Sequence, residues 1–333
     1  MTPYDVVTLG ETMLKFTPPN LKRLEQTATC ELEAGGSESN LAIALTRLGL
    51  KVLWLSRLTD NPLGRFIERA IAAQGVDTSR VIWTEGDRVG LYFVEEGKTP
   101  RHSRVFYDRK NSAMSQMRAS ELPVDLFLPG KARLLHLSGI TPALSPTLAV
   151  ATQRALHLAQ EAGWQFSFDL NYRHQLWAPA AALAGCSPFM EAAHILLAPI
   201  NDVRLLYELP STTLPEQVLS LLRERYPQAT IALTLGKDGA LGCEPGGLPI
   251  HQPAFPTEAV GRLGIGDAFA AGFLYQYLTA PAPAGPDKLA QALLWGAATA
   301  AIKYTIPGDI PWLSRAEVES LIQQGAIESK LVR

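Results

Sequence analysis

Asp267 is the residue best placed to do chemistry in this chain, because it stands where a glycine turn becomes a helix. The stretch Val260-Gly261-Arg262-Leu263-Gly264-Ile265-Gly266-Asp267 runs into apolar residues at helical spacing, Phe269, Gly272 and Phe273. Gly264 and Gly266 let the backbone turn sharply and bring its N–H groups against a ligand. The following helix adds unpaired N–H groups and the positive end of its dipole, so the spot favours an anion. A carboxylate at such a mouth can cap the helix, or it can face a hydroxyl that must lose its proton to attack a phosphoryl group. The residues alone leave both readings open. A second glycine turn, Ala34-Gly35-Gly36-Ser37-Glu38-Ser39-Asn40, opens another helix and offers amide and Asn groups suited to hydroxyls. The pair suits phosphoryl transfer to an alcohol, where a protein mostly positions groups and neutralises charge.

Other chemistries are poorly supported. No GxxxxGK[ST] occurs, and no GxGxxG follows the first strand, so a phosphate-wrapping Walker loop and the dinucleotide fingerprint are excluded. A net charge of −2 without a basic run gives no reason to expect nucleic-acid binding. No apolar run reaches the ~18 residues of a membrane span. The first residues, MTPYDVVTLGETMLKF, read directly as a strand and lack the layout of a signal peptide. Cys30, Cys186 and Cys243 are odd in number and far apart, as expected for free thiols in a reducing, cytoplasmic setting. The six histidines show no zinc-ligand spacing. Hydrophobic content of 47% against 19% charged residues indicates a globular chain with ample core.

The elements that must position the two turns alternate along the chain. Asp5 to Leu9 reads as a buried strand, Leu41 to Leu48 as a helix closed by Gly49, Val52 to Leu55 as a strand, and Pro62 to Gln74 as a helix closed by Gly75. Such succession implies parallel strands with right-handed crossovers. Strands at 134–137, 165–169, 195–198 and 230–235 continue the rhythm. Helices are expected over 146–162, 203–209, 215–225, from 267 onward, 289–303 and 314–324, with a loop over the Pro/Ala/Gly tract 279–286. Two excursions interrupt it. Residues 12–34 read as a ribbon, and Val89 to Glu95 with His102 to Tyr107 as a hairpin around the polar turn 96–100. The two could pair into a small sheet, a lid formed by about 12–34 and 88–110. The apolar set Leu91, Phe93, Val105 and Tyr107 would suit a homodimer meeting through that lid, although a packed lid face would read the same. With no repeat and no linker, a single α/β domain over 1–333, a doubly wound, mostly parallel sheet with ligands at the carboxyl ends of its strands, is expected.

The Gly35-Gly36-Ser37-Glu38-Ser39-Asn40 turn, the Gly264-Ile265-Gly266-Asp267 turn, and the length and order of elements resemble the ribokinase-like (PfkB) carbohydrate kinases over essentially the whole chain. Within that family, Gly90-Leu91-Tyr92-Phe93, Tyr107-Asp108-Arg109, Asp169-Leu170-Asn171-Tyr172-Arg173 and Thr305-Ile306-Pro307-Gly308-Asp309 are most similar to 2-keto-3-deoxygluconate kinases. The resemblance implies ATP as donor, magnesium arriving on its phosphates, Asp267 as base, and Gly264, Ile265 and Gly266 as an anion hole. It implies that Gly35, Gly36, Ser37 and Asn40 meet the sugar, that Tyr92 and Tyr107 reach over it, and that Arg109 or Arg173 pairs with its carboxylate. Asp309 would hold a further hydroxyl; a polar turn residue would look alike. Asn171, Thr234, Gly236 and Gly239 would contact the nucleotide. The chain departs from the family where Gly261-Arg262-Leu263 leads into the turn, where Ile265 replaces Ala, and where Pro199 occupies the Asn position of Asn-x-x-Glu. Asp202 is then the best match for the acid that organises water around magnesium. A neutral-sugar kinase such as a fructokinase, or a catalytically dead sugar- or nucleotide-binding protein, are the alternatives.

Overall fold

The computed structural model describes residues 3–281 and 287–324. Eight strands form the central sheet in the spatial order Ile250–Gln252, Ala240–Cys243, Thr230–Thr234, Ile195–Pro199, Gln165–Asp169, Ala132–Ser138, Tyr4–Leu9 and Val52–Leu55. The six from Thr230–Thr234 onward are parallel, and the first two turn antiparallel at one edge. The expected doubly wound, mostly parallel α/β class is the one observed. The parallel strands are almost continuous apolar runs because both sheet faces are covered. Val7, Leu135, Phe166 and Phe168 pack on one side, under helices that include Pro146–Glu161 and Pro215–Arg225. Val6, Leu134, Ile195 and Leu197 pack on the other, under Ser37–Leu48, Ile265–Thr279 and Lys288–Tyr304.

Several details correct the sequence reading. The two edge strands after Gly239 and the helix Pro179–Ala192 were not legible; that helix carries Pro188 inside it and shows no clear apolar stripe. The short helix placed at 203–209 begins earlier, as Ile200–Leu206. Part of the 279–286 loop, residues 282–286, lies outside the described residues, and Thr279 itself still ends a helix.

A second, four-stranded sheet has the order Glu31–Gly35, Met13–Thr17, Leu91–Glu95, Arg104–Asp108. Its register pairs Phe93 with Phe106 and Tyr92 with Tyr107. Because side chains alternate faces, Leu91 and Phe93 therefore lie opposite to Val105 and Tyr107, and the four do not make one face. The apolar row that does form is Leu32, Phe16, Phe93 and Phe106, with Phe16 and Phe93 stacked 5.2 Å apart. Tyr92 and Tyr107 share the other face, stacked at 5.9 Å.

The helix that starts at the Gly264 turn lies against Lys288–Tyr304 with unusually close backbones. A Cβ at Gly272 would run into Thr299 Oγ1 and the Trp295 carbonyl, and one at Gly296 would come within 2.9 Å of the Phe269 ring. Gly272→Val is therefore expected to cost about 1–3 kcal/mol by overpacking. The check is urea unfolding, where the midpoint should fall at unchanged slope; an unmoved midpoint would contradict this account of the helix pair.

Candidate active site

Two helix N-termini converge on one carboxylate. Gly264 adopts the left-handed conformation, φ 72°, and begins Ile265–Thr279, so Asp267 sits in that helix's first turn. A side chain at Gly264 would strike the Asp309 carbonyl, so this position needs glycine for both conformation and space. Gly36 is extended and begins Ser37–Leu48, placing Ser37 and Asn40 on the facing first turn. Ser37 Oγ donates to Asp267 Oδ1 at 2.7 Å, and Asn40 Nδ2 donates to Asp267 Oδ2 at 2.8 Å. Asn171 Nδ2 in turn donates to Ser37 Oγ at 2.9 Å. The carboxylate is thus held by side chains some 230 positions away in sequence and does not cap its own helix.

Burial raises the Asp267 pKa to about 6, against the lowering effect of the Ser37 and Asn40 hydrogen bonds and the Arg173 charge. That leaves the group ionised yet basic near neutrality, the condition that suits a general base. Asp267 keeps a small exposed surface, 8%, on a cavity of about 800 Å³. The cavity places Gly264, Ile265, Gly266, Asn171, Arg173, Thr234, Gly236 and Gly239 on one wall system. A Cβ at Gly266 would meet nothing within 4 Å, so the hollow is open beside the turn. Its lining also includes Phe255, Ala297, Ala300, Ala301 and Tyr304, an apolar set of the kind that takes a flat ring.

The remaining candidates gather on the side of the small sheet. Tyr92 Oη donates to Asp309 Oδ2, and Lys15 Nζ stands 3.4 Å from Asp309 Oδ1 and 2.7 Å from Glu33. Gly35 lies directly beneath Tyr92 and Asp309, with no room for a side chain. Tyr107 is exposed over Tyr92. The two arginines differ. Arg109 donates through Nε and Nη2 to Glu11 at 2.8 and 2.5 Å, and this pair is largely buried. Arg173 is exposed on the cavity, donates only to the Tyr172 carbonyl at 3.2 Å, and forms no ion pair among the described residues.

Sequence reasoning missed four charged residues here, Asp169, Glu11, Lys15 and Lys303, whereas it did name Asp202. Asp169 ends its strand at the cavity and has its pKa pushed up to about 8 by burial and by the neighbouring Asp267 and Asp202. Asp202 is raised by burial and accepts from Tyr172 N–H at 3.0 Å. Glu11 is buried, and its Oε1 has no partner among the described residues; the unpaired Oδ1 of Asn40 is similar. Both Asp169 and Glu11 follow from one rule, that ligands gather at the carboxyl ends of parallel strands. Lys15 and Lys303, both wholly buried, carry no such signal.

The comparisons with known proteins agree with this geometry. The pfkB family carbohydrate kinase signature matches residues 4–314. A 2-dehydro-3-deoxygalactonokinase of Haloferax volcanii is 38% identical over 96% of this chain and 97% of its own. A 2-dehydro-3-deoxygluconokinase of Bacillus subtilis is 30% identical over 94% and 93%. The crystal structure of 2-dehydro-3-deoxygluconokinase from Thermotoga maritima superposes with a TM-score of 0.87 at 33% identity, covering 96% of this chain and 98% of that one. A signature and relatives that run nearly end to end leave one conclusion: the chain belongs to the pfkB family of carbohydrate kinases.

Proposed function

We propose that this kinase transfers the γ-phosphoryl group of ATP to the terminal hydroxyl of a 2-keto-3-deoxy sugar acid of the gluconate or galactonate type. The observation that carries the reading is the Asp267 carboxylate, held by Ser37 and Asn40 beside the bare N–H groups of the Gly264 turn and open to the cavity. Asp267 takes the proton of the attacking hydroxyl, and the N–H groups of Gly264, Ile265 and Gly266 stabilise the charge on the phosphoryl group in transit. The triphosphate runs along Asn171 toward Thr234, Gly236 and Gly239, with its base in the apolar slot at Tyr304.

The sugar lies between Asp267 and the small sheet, which acts as a lid. Gly35 and Gly36 bring backbone close to it, Asn40 Oδ1 and Asp309 accept its hydroxyls, and Tyr92 and Tyr107 cover it. Of the two arginines, Arg173 is free to pair with a carboxylate, while the charge of Arg109 is already answered by Glu11. Arginine forks match carboxylates in shape, which favours an acid over a neutral sugar.

Magnesium supplies charge neutralisation on the ATP phosphates and keeps several waters, so one or two protein carboxylates suffice. Asp169, buried, and Asp202, half-buried, fit that need: both are carboxylates whose raised pKa a cation would reverse. The outer row of the lid, with Leu32 and Phe106 exposed, supports a homodimer through that sheet. Three free cysteines support a reducing, cytoplasmic setting.

An ADP-release assay across 2-keto-3-deoxygluconate, its galactonate epimer, fructose and ribose tests the substrate. The acids should turn over, and Arg173→Met should raise their KM while leaving the fold intact. Turnover of fructose or ribose with neither acid would refute the substrate assignment. The pH dependence tests the base. A carboxylate that titrates at about 6 is protonated and inactive below that value, so kcat/KM for the sugar should climb through pH about 6 and then level. A flat profile from pH 5 to 8 would contradict Asp267 as the base.

A further inference from the structure

We propose that Lys303 is a cationic positioning residue of the anion hole, its buried ammonium clamping the 305–309 loop against the Gly264 turn. Lys303 lies in the last turn of Lys288–Tyr304 and has no exposed surface. Its Nζ donates to the carbonyls of Ile306 at 2.9 Å and Gly308 at 2.8 Å, and it forms no ion pair among the described residues. The segment before the turn is tied to the same place, since Val260 and Gly261 N–H groups donate to the Tyr304 carbonyl at 2.8 and 3.2 Å. At Gly264 itself, a Cβ would strike the Asp309 backbone and stand 3.4 Å from Lys303 Cε. Turn, loop and lysine are therefore in direct contact.

A lysine near a helix C-terminus is commonplace as an exposed group that answers the last carbonyls, and that role stabilises only weakly. Full burial changes the balance, because desolvating an ammonium costs more than the cap returns. Burial pulls the Lys303 pKa below its ordinary range, while the Asp309 carboxylate works to keep it charged. A charge kept at such expense behind an anion-binding turn has an electrostatic use: it adds to the field of the helix N-terminus that the transferring phosphoryl group meets. The loop it holds also carries Asp309, whose side chain reaches Tyr92 and Lys15 of the small sheet. The same ammonium thus fixes the turn and the loop that faces the sugar.

The proposal rests on the reading of residues 264–266 as an anion hole, and the experiment separates the two. Wild type, Lys303→Met and Lys303→Gln are compared; Gln keeps N–H donors for the carbonyls but removes the charge. Turnover at saturating MgATP and sugar acid is measured beside affinity for ADP alone and for ADP with aluminium fluoride, which mimics the flat phosphoryl group in transit. Lys303→Met should lower kcat about 10- to 100-fold, the size expected for a misplaced catalytic group. Lys303→Gln should fall between it and wild type. Both should bind the mimic more weakly with ADP affinity nearly unchanged, a pattern that general loss of packing would not produce. If Lys303→Met fails to fold, Lys303→Gln decides alone. Wild-type kcat and mimic affinity in folded Lys303→Gln would overturn the proposal, as would equal weakening of ADP and mimic. A wild-type protein that binds the mimic no tighter than ADP would sink the anion-hole reading itself, and the proposal with it.

Discussion

The structure depends on one carboxylate being held away from its own helix. An Asp in the first turn of a helix ordinarily satisfies nearby N–H groups, which would fill the anion site with the protein's own charge. Here Ser37 and Asn40 take both oxygens of Asp267 from the opposite helix, and the carboxylate leaves the N–H groups at the start of its own helix uncapped. That arrangement needs two helix N-termini to face each other across the carboxyl edge of the sheet. The sheet provides it because parallel strands deliver each following helix to the same edge. Burial then does the electrostatic tuning, since a carboxylate in a dry wall is a stronger base than one in water.

The neighbouring charges follow from the same constraint. Asp169, Asp202 and Asp267 crowd one region, and their mutual repulsion is met by Arg173. A triphosphate alone would worsen this crowding, whereas a cation carried with it would relieve it. On the other side, Lys15, Glu33, Asp309 and Tyr92 form a compact polar knot between the small sheet and the 305–309 loop. That loop touches Gly264, so the small sheet and the turn share a mechanical support. Arg109 and Glu11 brace the base of the small sheet as a buried pair, and removing one partner from such a pair is far more costly than the pair is worth.

How much of this could be read beforehand differs by residue. The turns at 35–40 and 264–267 were legible because glycine, helix start and carboxylate are local signals. The contact between Asp267 and Ser37 was not local, and only the resemblance of the whole chain put them in one site. Lys303 was illegible: it occupies a position in an Ala-rich helix where a surface lysine would look identical in sequence. The small sheet was visible as two excursions from the strand–helix rhythm, but its register was not. A one-residue difference decides whether Tyr107 sits beside Tyr92 or beside Phe93, and the hairpin turn that sets it is too variable to read. The antiparallel edge strands escaped because short polar-flanked runs carry little period.

The most direct test of the central claim is a crystal structure of the protein with a 2-keto-3-deoxy sugar acid and a non-hydrolysable ATP analogue. The account predicts the terminal hydroxyl within hydrogen-bond reach of Asp267, about 2.6–3.2 Å, with the γ-phosphate lying over the N–H groups of Gly264 to Gly266. A sugar bound with that hydroxyl turned away from Asp267, or a γ-phosphate held elsewhere in the cavity, would contradict it.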